Sequence, residues 1–227
     1  MTQRRIIRAE ALDWLAKNPA PPKSSVITSI PTLTEVEGMD LAAWRSWSIA
    51  TARTILAWIP ADGVAIFYQS DIRIGGVWVD KGYLILRAVE DAGGALLWHK
   101  IVCRKPAGTP TYGRASYSHM ICAARAPRPA PKSASPDVLP DAGFMPWSKA
   151  MGAAACAHAC AYLREETETV TVVDPFCGNG TALAVANQFG FDALGVDKSP
   201  RRCKAARQLT LNAQLEPEGR TKGQASD

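Results

Sequence analysis

The residues best placed to do chemistry lie between positions 169 and 199, which read TVTVVDPFCGNGTALAVANQFGFDALGVDKS. An apolar, β-branched run ends in Asp174 and passes into the tight turn Phe176-Cys177-Gly178-Asn179-Gly180-Thr181. Gly178 and Gly180 let the backbone turn sharply and bring its N–H groups against a ligand with no Cβ in the way. A second apolar run ends in Asp197, 17 residues after Gly180. An acid at the end of a second strand accepts hydrogen bonds from both hydroxyls of a ribose. The order strand, glycine turn, helix, strand, acid therefore points to a nucleoside-bearing cofactor. The turn does not read G-x-G-x-x-G, so a pyrophosphate cradle is not indicated. It also lacks Gly-Lys-Ser/Thr, which argues against a nucleoside triphosphate.

Positioning that turn requires a strand over 169–174, a helix over 181–189, a strand over 193–197 and a helix over 200–213. Upstream, the patterns predict a helix over 9–17, a buried strand over 25–29 ended by Pro31, and a helix over Leu41–Trp58. A strand over 63–69 follows, then a helix over Lys81–Asp91 stopped by Gly93 and Gly94. Strands are expected over Ala95–Cys103 and 118–124, and an alanine-rich helix over 148–163. The proline-rich stretch 126–140 reads as a poorly ordered or substrate-facing loop. Strands alternating with helices imply an α/β fold, one mostly parallel sheet of about seven strands with helices on both faces.

Composition agrees with that and removes other classes. The chain has 227 residues, 47% hydrophobic and 21% charged, which suits an ordinary globular protein rather than a disordered one. No apolar run is long enough to span a bilayer or to serve as a signal peptide, so a cytoplasmic protein with no membrane partner is expected. The six cysteines form no CxxC pair. Cys156 and Cys160 could share a helix face, but buried free thiols are expected and no metal site. Net charge is only +5, yet seven Lys or Arg residues and no acid lie between Lys100 and Lys132. Such a stripe suits either a phosphate backbone or a solvated basic face. A second basic cluster, Lys198, Arg201, Arg202, Lys204 and Arg207, follows the glycine-turn region.

The string DPFCGNGT closely resembles the D-P-F-x-G-x-G-T motif of amino-methyltransferases, which include DNA N6-adenine and N4-cytosine enzymes and several tRNA methyltransferases. The resemblance implies S-adenosyl-L-methionine as cofactor. Asp174, Phe176, Gly178 and Gly180 would line its methionine half, Asp197 would hold its ribose, and Thr181 would also contact the cofactor. Only one strand is expected after the glycine turn, whereas a Rossmann-like methyltransferase of ordinary order begins with it. The remaining strands must come from the N-terminal part, which is similar to the circularly permuted beta class of DNA amino-methyltransferases. In that class an acid at the position of Glu10 would contact the cofactor's adenine amine; alternatively, Glu10 is a helix N-terminal acid favoured by the dipole.

Ser29-Ile30-Pro31-Thr32 falls where that class has its catalytic S/D/N-P-P-Y/F/W tetrapeptide. There, the first side chain and a main-chain carbonyl accept hydrogen bonds from the target amine, a positioning effect, and the aromatic stacks on a flipped base. Here Ser29 and Pro31 survive, while Ile30 and Thr32 depart from the pattern. A stacking wall would have to come from Trp44, Trp47, Phe67 or Tyr68, each of which also reads as core. Glu35 is either a general base or acceptor-positioning group, or an exposed loop carboxylate.

Residues after a strand's carboxyl end share a crevice in open α/β sheets, which brings Asp71, Arg73, Asp80 and Lys81 toward the same edge. His99 and His119 read as core or surface histidines. Arg104, Lys105, Arg114, Tyr68 and Asp71 are the expected substrate contacts.

The chain is thus expected to hold one permuted Rossmann-like class I methyltransferase domain over 1–213. A basic, proline-rich, substrate-facing insertion would occupy roughly 104–147, and a polar tail 214–227. The function implied is methylation of a nucleic acid, with structured RNA such as tRNA or rRNA ahead of DNA. A DNA amino-methyltransferase, a small-molecule or protein methyltransferase, and a cofactor-binding subunit needing a partner remain open, as does the oligomeric state, a homodimer included.

Overall fold

The computed structural model describes residues 2–147 and 149–211. Its elements in chain order are β1 (Arg4–Arg8), α1 (Ala11–Lys17), β2 (Ser24–Thr28), α2 (Leu41–Trp58), β3 (Ala65–Gln69), β4 (Ile72–Ile74) and β5 (Val77–Val79). Then come α3 (Lys81–Asp91), β6 (Ala95–Cys103), β7 (Tyr117–Ala124), β8 (Val138–Leu139), α4 (Ala153–Glu166), β9 (Thr171–Asp174), α5 (Thr181–Gln188), β10 (Asp192–Asp197) and α6 (Pro200–Gln208).

One sheet carries eight strands in the order β1-β10-β9-β2-β3-β7-β6-β8. The five from β1 to β3 are mutually parallel, β7 is antiparallel to both its neighbours, and β8 is parallel to β6. The N-terminal strand lies beside the last strand of the chain, and β9 lies between β10 and β2. That arrangement is the permutation expected from the motif order.

Alternation along β7 shows how the sheet divides its side chains. Met120, Cys122 and Ala124 join one buried cluster with Cys156, Cys160 and Leu163 of α4 and Ala182 and Val185 of α5. Ile121 and Ala123 join the other, with Leu15 of α1, Ile55 of α2 and Ile85 and Ala88 of α3. Each fully buried Leu or Ile stabilises the fold by about 1.5–3 kcal/mol, so both faces are strongly committed to their helices.

The caps follow the local sequence. Asp40 caps α2 through Ala43 N, Asp80 caps α3 through Tyr83 N, and Ser199 caps α6 ahead of Pro200.

Four expectations are corrected. The sheet has eight strands rather than about seven, because the proline-rich stretch 126–140 contributes β8, which pairs with Ile101 and Val102. Residues 72–79, for which the sequence predicts no element, form the separate hairpin β4-β5, turned by Gly75 and Gly76. Helix α4 starts at Ala153 rather than 148, since Ala153 N and Ala155 N bond back to Phe144 O and Ala142 O and fix the preceding segment as a packed loop. Helix α6 stops at Gln208, where Arg4 reaches across to the Ala206 and Leu209 carbonyls. The expected tail 214–227 lies outside the described residues.

Candidate cofactor and acceptor crevice

Strand β9 delivers Asp174 into the glycine turn. The Asp174 side chain is almost fully buried, accepting a hydrogen bond from the Thr28 hydroxyl of the neighbouring β2 at 2.6 Å and one from Phe176 N at 3.1 Å. Burial outweighs those bonds and pushes its carboxyl up to about 7, with Asp197 adding to the rise. Gly178 and Gly180 take the left-handed region at φ +52° and +86°. A Cβ on Gly178 would meet nothing within 4 Å, so its side of the turn is open, whereas one on Gly180 would strike Ala206 of α6 at 2.9 Å.

Asp197, at the end of β10, is held from two sides. Gly178 N donates to Oδ2 at 3.1 Å and Ser199 N donates to Oδ1 at 2.8 Å. Each carboxylate oxygen keeps a lone pair for a further donor. The Thr181 hydroxyl, at the start of α5, is buried and has no partner among the described residues. Glu10 caps α1 through Asp13 N at 3.0 Å, and the preceding Ala9 N bonds to the Asp197 carbonyl. It therefore sits next to the end of β10 while also serving as a helix cap.

The segment after β2 faces this turn. Ser29 is half-buried, and its hydroxyl bonds to nothing among the described residues. The two carbonyls that follow are both taken, Ile30 O by the Lys81 ammonium at 3.1 Å and Pro31 O by the Trp44 indole N–H at 3.1 Å. Thr32 begins a 3-10 turn in which Glu35 accepts from Thr32 N at 3.1 Å.

The other Glu35 oxygen pairs with Lys149 at 3.5 Å and Arg202 at 3.6 Å, and Arg202 lies 3.9 Å from Asp197. Partial burial raises the Glu35 carboxyl, but the Thr32 bonds and the two cations hold it below the usual range. A carboxylate so placed suits an anchor tying three segments around the glycine turn better than a proton acceptor.

Among the aromatic candidates, Trp44 and Phe67 are fully buried, and Tyr68 lies in the cluster that contains Cys156 and Leu163. These three are core. Trp47 remains half-exposed, edge-on to Phe176 at 6.3 Å between ring centroids.

Asp71, expected as a substrate contact, is instead a buried hub. It accepts from Lys81 N at 2.8 Å, the Tyr117 hydroxyl at 3.1 Å, the Trp78 indole at 3.3 Å and His119 Nε2 at 3.1 Å. Burial alone would raise its carboxyl, yet the His119, Lys81 and Tyr117 contacts lower it. With Asp71 ionised, the His119 proton sits on Nε2, and Nδ1 accepts from His99 Nε2 at 2.9 Å. Gly82 is required here, because a Cβ would lie 2.7 Å from the His119 ring. Sequence reasoning placed these residues near one edge but missed the hub. The one signal available was a glycine in the first turn of a helix, where helix propensity disfavours it.

The basic stripe does not form one surface. Arg104, Lys105 and Arg114 lie between β6 and β7 at the crevice end, with Arg114 bridged to Ile72. Arg125, Arg128 and Lys132 follow β7 at the opposite end of the sheet, where Arg128 bonds Gly63 O. Lys100 is buried on the Pro136 and Ser135 carbonyls and beside Asp137. The stripe is split because an eight-residue antiparallel strand carries its second half about 27 Å away. No helix among the described residues is long and apolar enough to cross a membrane.

No protein-family model matches the chain, and no curated protein matches it. Solved structures do. The PvuII cytosine-N4-specific DNA methyltransferase aligns over 94% of this chain and 89% of its own, at 16% identity and a TM-score of 0.71. TTHA0409 of Thermus thermophilus, named as a DNA modification methylase and complexed with S-adenosyl-L-methionine, aligns over 89% and 91%, at 21% identity and 0.66. The M1.HpyAVI–SAM complex aligns over 91% and 98%, at 12% identity and 0.60. All three are named for methyl transfer to DNA or as complexes with that cofactor, so the expected preference for RNA finds no support among them. The chain has the Rossmann-like methyltransferase fold in permuted order, as its motifs led one to expect.

Proposed function

We propose that this protein is an S-adenosyl-L-methionine-dependent methyltransferase acting on an exocyclic amine of a DNA base. The observation that carries the reading is the facing of Ser29 and Ile30 with the turn from Asp174 to Thr181, all at the carboxyl ends of the adjacent strands β2 and β9.

The residues present fit the cofactor. The turn is open beside Gly178, Asp197 is pinned with a lone pair free on each oxygen, and Thr181 has an unmet hydroxyl. Asp174, Phe176, Gly178, Gly180 and Thr181 would hold the methionine half and Asp197 the ribose, with Glu10 next to the ribose strand. When bound, the cofactor supplies an electrophilic methyl group on sulfur. The chain's part is to position the acceptor: the Ser29 hydroxyl and the lone pair that Ile30 O keeps beside Lys81 orient the amine, Trp47 offers the half-exposed ring beside Phe176, and Arg104, Lys105 and Arg114 meet phosphates at the crevice end.

The fold likeness to DNA enzymes over nearly the full chain supports DNA ahead of RNA. The test is transfer of labelled methyl groups to genomic DNA, total tRNA and ribosomal RNA in parallel, with Asp197→Ala as control. Label in DNA that disappears in the variant is the expected result. Label confined to RNA would move the substrate class, and label nowhere despite bound cofactor would remove the nucleic-acid reading.

A further inference from the structure

Lys81 is 4% exposed, and its ammonium donates to Ile30 O at 3.1 Å and lies 5.9 Å from the Trp44 ring centroid. An ammonium has three donors. No carboxylate among the described residues comes within ion-pairing distance, and no other hydrogen bond from the ammonium is present. Burying a charge without an ionic partner is costly, and an apolar side chain of the same volume is often neutral or better for the fold. The loop does not need it, since the Trp44 indole holds Pro31 O and Glu35 closes the following turn. A second polar side chain in the neighbourhood is also unmet. Gln69 is fully buried with neither amide atom partnered among the described residues, opposite His119 in the β3–β7 register, and the His119 ring packs on Gly82, next to Lys81.

The competing candidate is the trio Asp71, Asp80 and His119, whose oxygens and nitrogen are spaced like metal ligands, with His119 Nε2 at 3.1 and 3.6 Å from the two carboxylates. It is set aside because four protein donors already fill the Asp71 carboxylate.

Ile30 O and the Lys81 N–H groups place an acceptor and a donor side by side, immediately after the free Ser29 hydroxyl. Their complement is an amine next to a hydrogen-bond-accepting ring nitrogen. Adenine and cytosine carry that amidine edge, as does guanine on its minor-groove side, and thymine does not. We propose that Lys81 is a substrate-recognition residue of the acceptor crevice, donating to the ring nitrogen adjoining the amine that is methylated. This rests on the methyltransferase reading above.

The experiment compares wild type with Lys81→Met in three ways: thermal unfolding without substrate, calorimetric cofactor binding, and methyl transfer to a duplex. The duplex carries the target base, identified by nucleoside digestion of wild-type product, or its analogue with that ring nitrogen replaced by CH. Lys81→Met is expected to melt no lower than wild type, to bind cofactor within about threefold, and to transfer methyl about 100-fold more slowly. The CH analogue should slow wild type by a similar factor and the variant hardly at all, since the two changes remove one interaction.

A melting temperature lowered by more than about 5 °C, or transfer by the variant near wild-type rate, would overturn the proposal. So would an analogue penalty equal in both proteins. Should Lys81→Met not fold, the lysine is structural and the proposal falls. A wild type that binds cofactor and labels nothing fails the methyltransferase reading itself and takes the proposal with it, an outcome distinct from a labelled product unaffected by Lys81.

Discussion

Around Gly178 the crevice is made of main chain: amides of Phe176, Gly178 and Ser199 point at two aspartates, and two glycines supply the backbone angles. Around Ile30 it is made of side chains brought from elsewhere, Lys81 from α3, Trp44 from α2 and Glu35 from the next turn, with Lys81 itself held by Asp71. The first kind of site is written in a short contiguous string, because the donors are the string. The second exists only once helices α2 and α3 have packed on the sheet. The difference teaches that the cofactor side is rigid by construction, whereas the acceptor side is adjustable by exchanging single side chains.

Four measurements would break or sharpen that contrast. The largest effect is expected from Asp197→Ala, which removes an acceptor fixed by two amides. Cofactor affinity should fall by about 100-fold or more, read by calorimetry. Retained affinity would mean that Asp197 serves the turn alone. Ser29→Ala should do the opposite, leaving cofactor affinity within about twofold while methyl transfer slows by about tenfold to 100-fold. Equal losses in both would dissolve the distinction between the two sides.

The third concerns protons. Burial holds the Asp174 carboxyl at about 7, so the free protein is substantially protonated there at neutrality. A cationic cofactor favours the ionised form. Its affinity should therefore rise with pH up to about 7 and then level off, falling by up to about tenfold per pH unit below that. Asp174→Asn should flatten the profile. The same group makes a contribution to stability that is complete below the ordinary carboxylate range and lost as pH rises through 7.

The smallest effect is electrostatic. Neutralising Lys105 or Arg114 should each lower the salt dependence of DNA binding by about one ion, whereas Arg125 and Lys132, at the far end of the sheet, should change nothing. Equal effects from both pairs would place nucleic acid along the whole strand.

Much of the fold was readable where one physical rule acts alone. Helices α2 and α3 begin at Asp40 and Asp80, whose caps and apolar spacing are local signals, and their bounds matched. The β4-β5 hairpin and β8 escaped, for they are three and two residues long and owe their existence to neighbours rather than to pattern. The sequence assigns Tyr68 to substrate as an aromatic wall and Asp71 because it follows a strand's carboxyl end. Alternation turns Tyr68 into the α4-side core, and Asp71 is consumed by four donors, of which Tyr117 and His119 come from 46 and 48 residues further along the chain.

The place of β9 between β10 and β2 has a consequence for how the protein is made. Strand β2 is buried along its whole length, and the aspartate that its Thr28 must bond lies 146 residues later in the chain. At a ribosomal rate of about 5–20 residues per second, the acceptor half waits on the order of ten seconds with its innermost strand edge bare. No native sheet centre exists until the glycine turn has emerged. During that interval the newborn chain is an open edge of Val and Ile in search of a partner, and its yield in a cell rests on whatever shields that edge until β9 arrives.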